Sequence, residues 1–119
     1  ISRCLIVWLG FPMPQLQQEF RVRNGRVERV DFWWQLYRII GECDGAIKYS
    51  GAFGDPSQVI MDEKQREAVL RQASDGFARW VWADFTPPER LRDILLAAGL
   101  PRLFPERRAL LETLAEVFA

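Results

Sequence analysis

Histidine is absent from the 119-residue chain, which removes the commonest zinc ligand and the usual general base of a serine or cysteine nucleophile. Any acid–base chemistry must then come from Asp, Glu, Lys or metal-bound water. Cysteine is scarce: Cys4 and Cys43 are the only two, too few for a disulfide framework. Their apolar neighbours suit small buried thiols in a reducing cytoplasm. Apolar runs are short, and even Cys4 to Leu9 falls far below the roughly 20 residues that cross a bilayer. No charged-then-apolar leader opens the chain, so the reading is a cytoplasmic protein with no membrane segment. The first residue is Ile1 rather than Met, which points to a fragment of a longer protein. An excess of charge is missing as well, because 16 basic and 16 acidic residues cancel. A strongly basic nucleic-acid surface is thereby disfavoured.

What is present is an ordinary globular composition, 49% hydrophobic and 27% charged, enough for one domain with a core. The seven prolines and eight glycines are scattered as punctuation rather than gathered into a linker, and no internal repeat is visible. Residues 1–119 therefore read as a single domain, with a core over about 1–100 and a helical extension over about 101–119. Ser2 reads as the N-cap of a first helix that Gly10 ends. Leu16 to Val22 and Arg26 to Trp34 read as strands joined by the Asn24-Gly25 hairpin signal, the second shifting phase once, at a bulge, between Val27 and the set Val30, Phe32 and Trp34. Leu36 to Glu42 is apolar almost throughout, as a strand buried on both faces should be. A small-residue loop over 49–57 precedes a helix from Pro56 or Ser57 that Gly76 ends, and Phe77 to Phe85 is a further strand. Thr86 and Pro87 open another helix, stopped by Gly99 and Pro101. The last begins near Pro105 and carries a leucine face suited to packing back on the sheet. The order implies an α/β fold: three antiparallel strands, then a fourth strand reached through a right-handed helical crossover.

Two of the strand-like runs deliver acids to one rim of this sheet, Asp31 from the first and Glu42 and Asp44 from the second. Three carboxylates so gathered repel one another, and a hard divalent cation is the ordinary way to keep them ionised. The plainer alternatives are strand-end acids paired with Arg29 or Arg38, and an Asp44-Gly45 turn. The tryptophans, Trp8, Trp33, Trp34, Trp80 and Trp82, read as core residues. Phe53 is the aromatic placed where a loop wedge into DNA would protrude.

Four strings in order, Arg29-Val30-Asp31-Phe32, Glu42-Cys43-Asp44-Gly45 through Lys48-Tyr49, Glu63-Lys64-Gln65-Arg66-Glu67, and Gly76 through Trp82, resemble the PD-(D/E)XK nuclease superfamily. The likeness is closest to its branch similar to very-short-patch-repair endonucleases, which includes small endonuclease-like domains of actinobacterial type. The resemblance spans roughly residues 1 to 100. It implies a restriction-endonuclease-like three-layer core, helix-three strands-helix-strand, with extra C-terminal helices, and a Mg²⁺- or Mn²⁺-dependent endonuclease that hydrolyses DNA phosphodiester bonds. By the same resemblance Asp31, Glu42 and Asp44 would hold the metal. Asp44 stands where the family motif usually has lysine, so Lys48 or Lys64 would take the lysine's catalytic role. Arg29, Lys48, Lys64 and Arg66 would contact phosphates. The alternative is a catalytically weakened nuclease-fold module of an antitoxin-like regulator that binds DNA or protein. A homodimer and a preceding winged-helix domain are left open as partners.

Overall fold

A computed structural model of the chain describes residues 1–22, 25–45 and 55–118. Helix α1 (Ser2–Trp8) leads through Gly10 to strand β1 (Gln15–Arg21), followed by β2 (Val27–Trp34) and β3 (Ile39–Asp44). Helix α2 (Pro56–Gln72) carries the chain to β4 (Gly76–Val81). A 3₁₀ turn (Trp82–Phe85), α3 (Glu89–Ala97) and α4 (Arg108–Phe118) follow. The sheet order is β1-β2-β3-β4, antiparallel across the first three strands and parallel between β3 and β4. A parallel pair needs a crossover long enough to span the sheet, and α2 provides it. The helix, three strands, helix, strand, helix, helix order is the one expected.

The sheet is covered on both faces. On one, Leu5 and Ile6 of α1, Leu91 and Leu95 of α3 and Leu111 of α4 bury Phe32, Trp34, Ile39 and Trp80. On the other, Leu70 of α2 covers Val30, Trp33, Ile40 and Phe77. Val30 and Trp33 thus face α2 while Phe32 and Trp34 face away, so β2 changes phase at Asp31 and not, as the alternation suggests, between Val27 and a Val30, Phe32, Trp34 set sharing one face. There the β1–β2 ladder steps from Leu16↔Phe32 to Gln18↔Val30, and the intervening Gln17 has φ +55, a conformation uncommon outside glycine. Gly41 lets the aromatic rings close over β3, since a Cβ there would stand 2.9 Å from the Trp80 ring and 3.0 Å from that of Trp34. The segment before α4 is stitched to α1: the amides of Leu103 and Phe104 donate to the Gly10 carbonyl and that of Arg107 to the Trp8 carbonyl. The C-terminal extension therefore packs back on the domain. Among the described residues no helix is long and apolar enough to cross a membrane.

Several boundaries differ from the sequence reading, each for a local reason. β3 starts at Ile39, not Leu36, because Gln35 to Arg38 form a turn closed by the Tyr37 amide on the Trp34 carbonyl; Arg38 has φ +53 and Leu36 is 83% exposed. Ser2 is no cap: Ile1 holds that place, and the buried Ser2 hydroxyl accepts from Nε1 of Trp80 at 3.1 Å. Gly76 opens β4 instead of ending α2, with no room for a Cβ, which would stand 2.2 Å from the Ala98 carbonyl oxygen. β4 ends at Val81, so Trp82 is 62% exposed rather than core. Pro88, not Thr86, precedes α3. Cys4 is exposed and Cys43 half-buried, because Cys4 lies on the outer side of a short helix. Asn24, Lys48, Tyr49 and Phe53 lie outside the described residues.

Candidate functional site

Glu42 and Asp44 alternate with Cys43 along β3, so both carboxylates project to the same face, the one α2 covers. They are 4% and 7% exposed. Buried carboxylates need partners, and these come from two distant arginines. Arg66, in mid-α2, donates from Nη1 to Oε1 of Glu42 at 2.6 Å and from Nη2 to Oε2 at 3.2 Å, a two-pronged pairing that matches the fork of the guanidinium. Its Nε donates to Glu28 of β2 at 3.0 Å, and Nη2 also donates to the Arg29 carbonyl at 2.6 Å. Arg66 thereby ties α2 to both β2 and β3.

Arg79 comes from β4, directly beside Glu42 in the parallel ladder. Its Nη2 donates to Glu63 at 2.9 Å and to Glu42 at 3.3 Å, and its Nη1 to Glu67 at 2.6 Å. Nε lies 3.1 Å from Oδ2 of Asp44, near enough for an ion pair but misaligned as a hydrogen bond. That N–H is a buried donor without an acceptor among the described residues. The guanidinium also sits 5.3 Å above the Phe77 ring, and that of Arg71, paired to Glu67, 4.9 Å above it. Burial works against the charge on both Arg66 and Arg79. The surrounding carboxylates outweigh it, Glu42 first for Arg66 and Asp44 first for Arg79, so both stay above arginine's ordinary pKa. The network holds Glu28, Glu42, Asp44, Glu63 and Glu67 against Arg66 and Arg79, with Arg26 and Arg71 at its rim. Beside it, a cleft of about 440 Å³ opens between the β1–β2 hairpin and α2, with Arg26, Glu28, Glu63 and Arg66 in its walls.

Asp31 is adjacent to this site in the backbone but separate from it in its side chain. The β2–β3 pairing ends at Phe32↔Gly41, one residue short of Asp31 and Glu42. At the break in β2, however, Oδ2 of Asp31 accepts from the Cys43 amide at 3.0 Å. Asp31 instead lines a groove of about 340 Å³ with Ile1, Ser2, Arg3 and Cys43, beside the start of α1. Burial pushes the Cys43 thiol up in pKa, with a hydrogen bond to Ser2 acting the other way and the charges of Asp31 and Asp44 adding to the rise.

The structure thus brings together Glu42, Asp44 and Arg66 of the expected site residues, and sets Asp31 apart. Arg29 is exposed and paired to Glu19 at 3.2 Å; Lys64 is exposed on α2; Arg38 pairs with Asp75 rather than Glu42. As placed, the carboxylates do not fit a divalent ion: Arg66 takes both oxygens of Glu42, and among the described residues no three His, Cys, Asp or Glu side chains converge to hold a metal. Arg79 and Glu28 were absent from the sequence-based site. Arg79 had left a signal, as the lone charge in the otherwise apolar run Phe77 to Trp82. Comparison with known proteins adds no assignment: no family model, no curated protein and no solved structure matches the chain.

Proposed function

We propose that the chain is a nuclease-like domain, built on the restriction-endonuclease-like core its motifs resemble, that works as a binding module rather than as a metal-dependent hydrolase. The observation that carries this reading is the capture of both Glu42 oxygens by Arg66, with Asp44 paired to Arg79. A carboxylate already neutralised by a guanidinium has little left to offer a cation that sheds water reluctantly. A protein partner suits the chain better than DNA. Arg29 and Arg66, the two described arginines expected to contact phosphate, are engaged by Glu19 and by Glu28, Glu42 and Glu63, and the chain is formally neutral.

The test is plasmid nicking at low salt with Mg²⁺ and with Mn²⁺, by the wild type and by Asp31→Ala. The expected result is no divalent-dependent nicking by the folded wild type and no gel shift of the plasmid. Nicking that disappears in Asp31→Ala overturns the reading and favours the second one, a Mg²⁺-dependent DNA endonuclease with Asp31, Glu42 and Asp44 as ligands and Lys64 or Lys48 beside them. That reading draws on the β2–β3 pairing, which ends at Phe32↔Gly41, one residue short of Asp31 and Glu42.

A further inference from the structure

The side of the sheet away from the charged network carries an apolar surface of its own. We propose that it is a self-association surface: the outer edge of α4 of one copy lies along an apolar groove of a second copy, and a two-fold axis returns the contact. The inference goes beyond the binding-module reading and uses none of its residues.

The groove, of about 540 Å³, lies between α1 and the segment before α4, with Phe11 buried at its base and Met13, Leu103 and Phe104 along its sides. Met13 is 66% and Phe104 60% exposed, and past Met13 and Leu103 the groove continues into a hollow that reaches Leu36. Exposed apolar side chains are ordinary when scattered, but gathered on one groove they mark a contact surface. Backbone geometry holds these ones out. The Leu103 and Phe104 amides both donate to the Gly10 carbonyl, and Gly10, at φ +95, leaves no room for a Cβ, which would stand 2.1 Å from the Phe104 carbonyl oxygen. A wall set in this way is ordered before it is covered, which lowers the cost of association. The charge on the groove is positive. Glu106 gives one oxygen to Arg102 at 2.7 Å and the other to Arg108, so Arg107, exposed in the same wall, has no acid of its own among the described residues. Helix α4 offers the complement. Leu111 anchors one side of it in the core, while Leu110 and Val117, two helical turns apart and therefore on one face, are exposed. Beside them stand Glu112 and Glu116, exposed and without an ion pair among the described residues. Helix α4 begins at Arg108, directly after Arg107, so groove and helix adjoin on each copy, as a self-complementary two-fold contact requires. A formally neutral chain sets no long-range repulsion against it.

The experiment is sedimentation equilibrium of the full chain from about 5 to 500 µM, a range that spans the dissociation constants of weak to moderate dimers. The mass should rise with concentration and level at twice that of the monomer. Phe104→Glu, which puts a charge into the groove at an exposed position, should weaken the dimer by about tenfold or more. A charge exchange then identifies the occupant. Arg107→Glu alone, and Glu112→Arg combined with Glu116→Arg, should each sediment as monomers because like charges face one another across both seams. An equimolar mixture of the two should recover the dimer, since every seam of the mixed pair again joins opposite charges. A wild type that stays monomeric to the top of the range overturns the proposal. So does a dimer that Phe104→Glu leaves unchanged, or a mass that climbs beyond twice the monomer, the mark of head-to-tail growth. Variants that are folded by circular dichroism yet fail to pair on mixing remove α4 as the occupant and overturn it too. None of these outcomes bears on plasmid nicking, so the proposal and the binding-module reading fail separately.

Discussion

The two faces of the sheet are held by different forces. Under α1, α3 and α4 the contact is apolar: Trp80 stacks on Phe32 at 5.5 Å between ring centroids, with Leu5, Leu91 and Leu95 fully buried around them. Under α2 the apolar contact is thin, Leu70 being the fully buried residue that the helix contributes, and Arg66 and Arg79 carry much of the attachment. An apolar face gains from area and tolerates small rearrangements, whereas a charged one is directional and fails when a single partner is lost. The molecule thus keeps its bulk stability on one side of the sheet and a demanding, directional arrangement of charge on the other.

Truncation should separate the faces. Trp80→Ala removes the largest fully buried side chain and should cost about 3–5 kcal/mol in urea unfolding, the range for deleting a core aromatic. A loss below about 1 kcal/mol would mean that the apolar face is not where stability resides. Glu42→Ala should cost a similar or slightly smaller amount, about 3–4 kcal/mol, because it removes the buried carboxylate that two half-buried guanidiniums share. The informative contrast is the double variant Glu42→Leu with Arg66→Met. If the charged face serves function rather than stability, the pair should unfold closer to wild type than Glu42→Ala does, since a buried ion pair exchanged for apolar side chains is often neutral. A double variant worse than the single one would show the network to be a net stabiliser.

The sheet was readable from pattern because its signals are local. Period-two alternation in β1, the proline at the start of α2 and the glycines after α1 and α3 each act within a few residues, and they gave the order of elements. That β2 changes phase was visible, but not where: alternation groups Val30 with Phe32 and Trp34, whereas Val30 lies with Trp33 on the α2 face. The site was legible only in half. Glu42 and Asp44 announce themselves as acids in a buried strand, but their partners stand 24 and 37 residues away, and only the β3–β4 register brings Arg79 beside Glu42. Nor does spacing reveal that the break at Asp31 turns its carboxylate toward the Cys43 amide. Ser2 misled for a related reason: a serine at the start of a helix looks the same whether it caps the helix or accepts from a tryptophan of a strand 78 residues on.

The smallest expected effect concerns a boundary that hydrophobicity misplaced. Leu36 and Tyr37 are continuous with Ile39 and Ile40 in apolar character, and a reading by pattern alone puts them all in one buried strand. Backbone geometry divides them, because the left-handed Arg38 between Tyr37 and Ile39 is incompatible with an unbroken extended run. If the turn over Gln35 to Arg38 is correct, Leu36→Lys should change stability by no more than about 0.5 kcal/mol, as surface substitutions do, while Ile40→Ala in the same sequence run should cost about 2–5 kcal/mol. A Leu36→Lys variant that loses 2 kcal/mol or more would return Leu36 to the strand. It would also lengthen the β2–β3 pairing by several residues, shift the register that ends beside Asp31 and Glu42, and so reopen the separation of the two faces at its source.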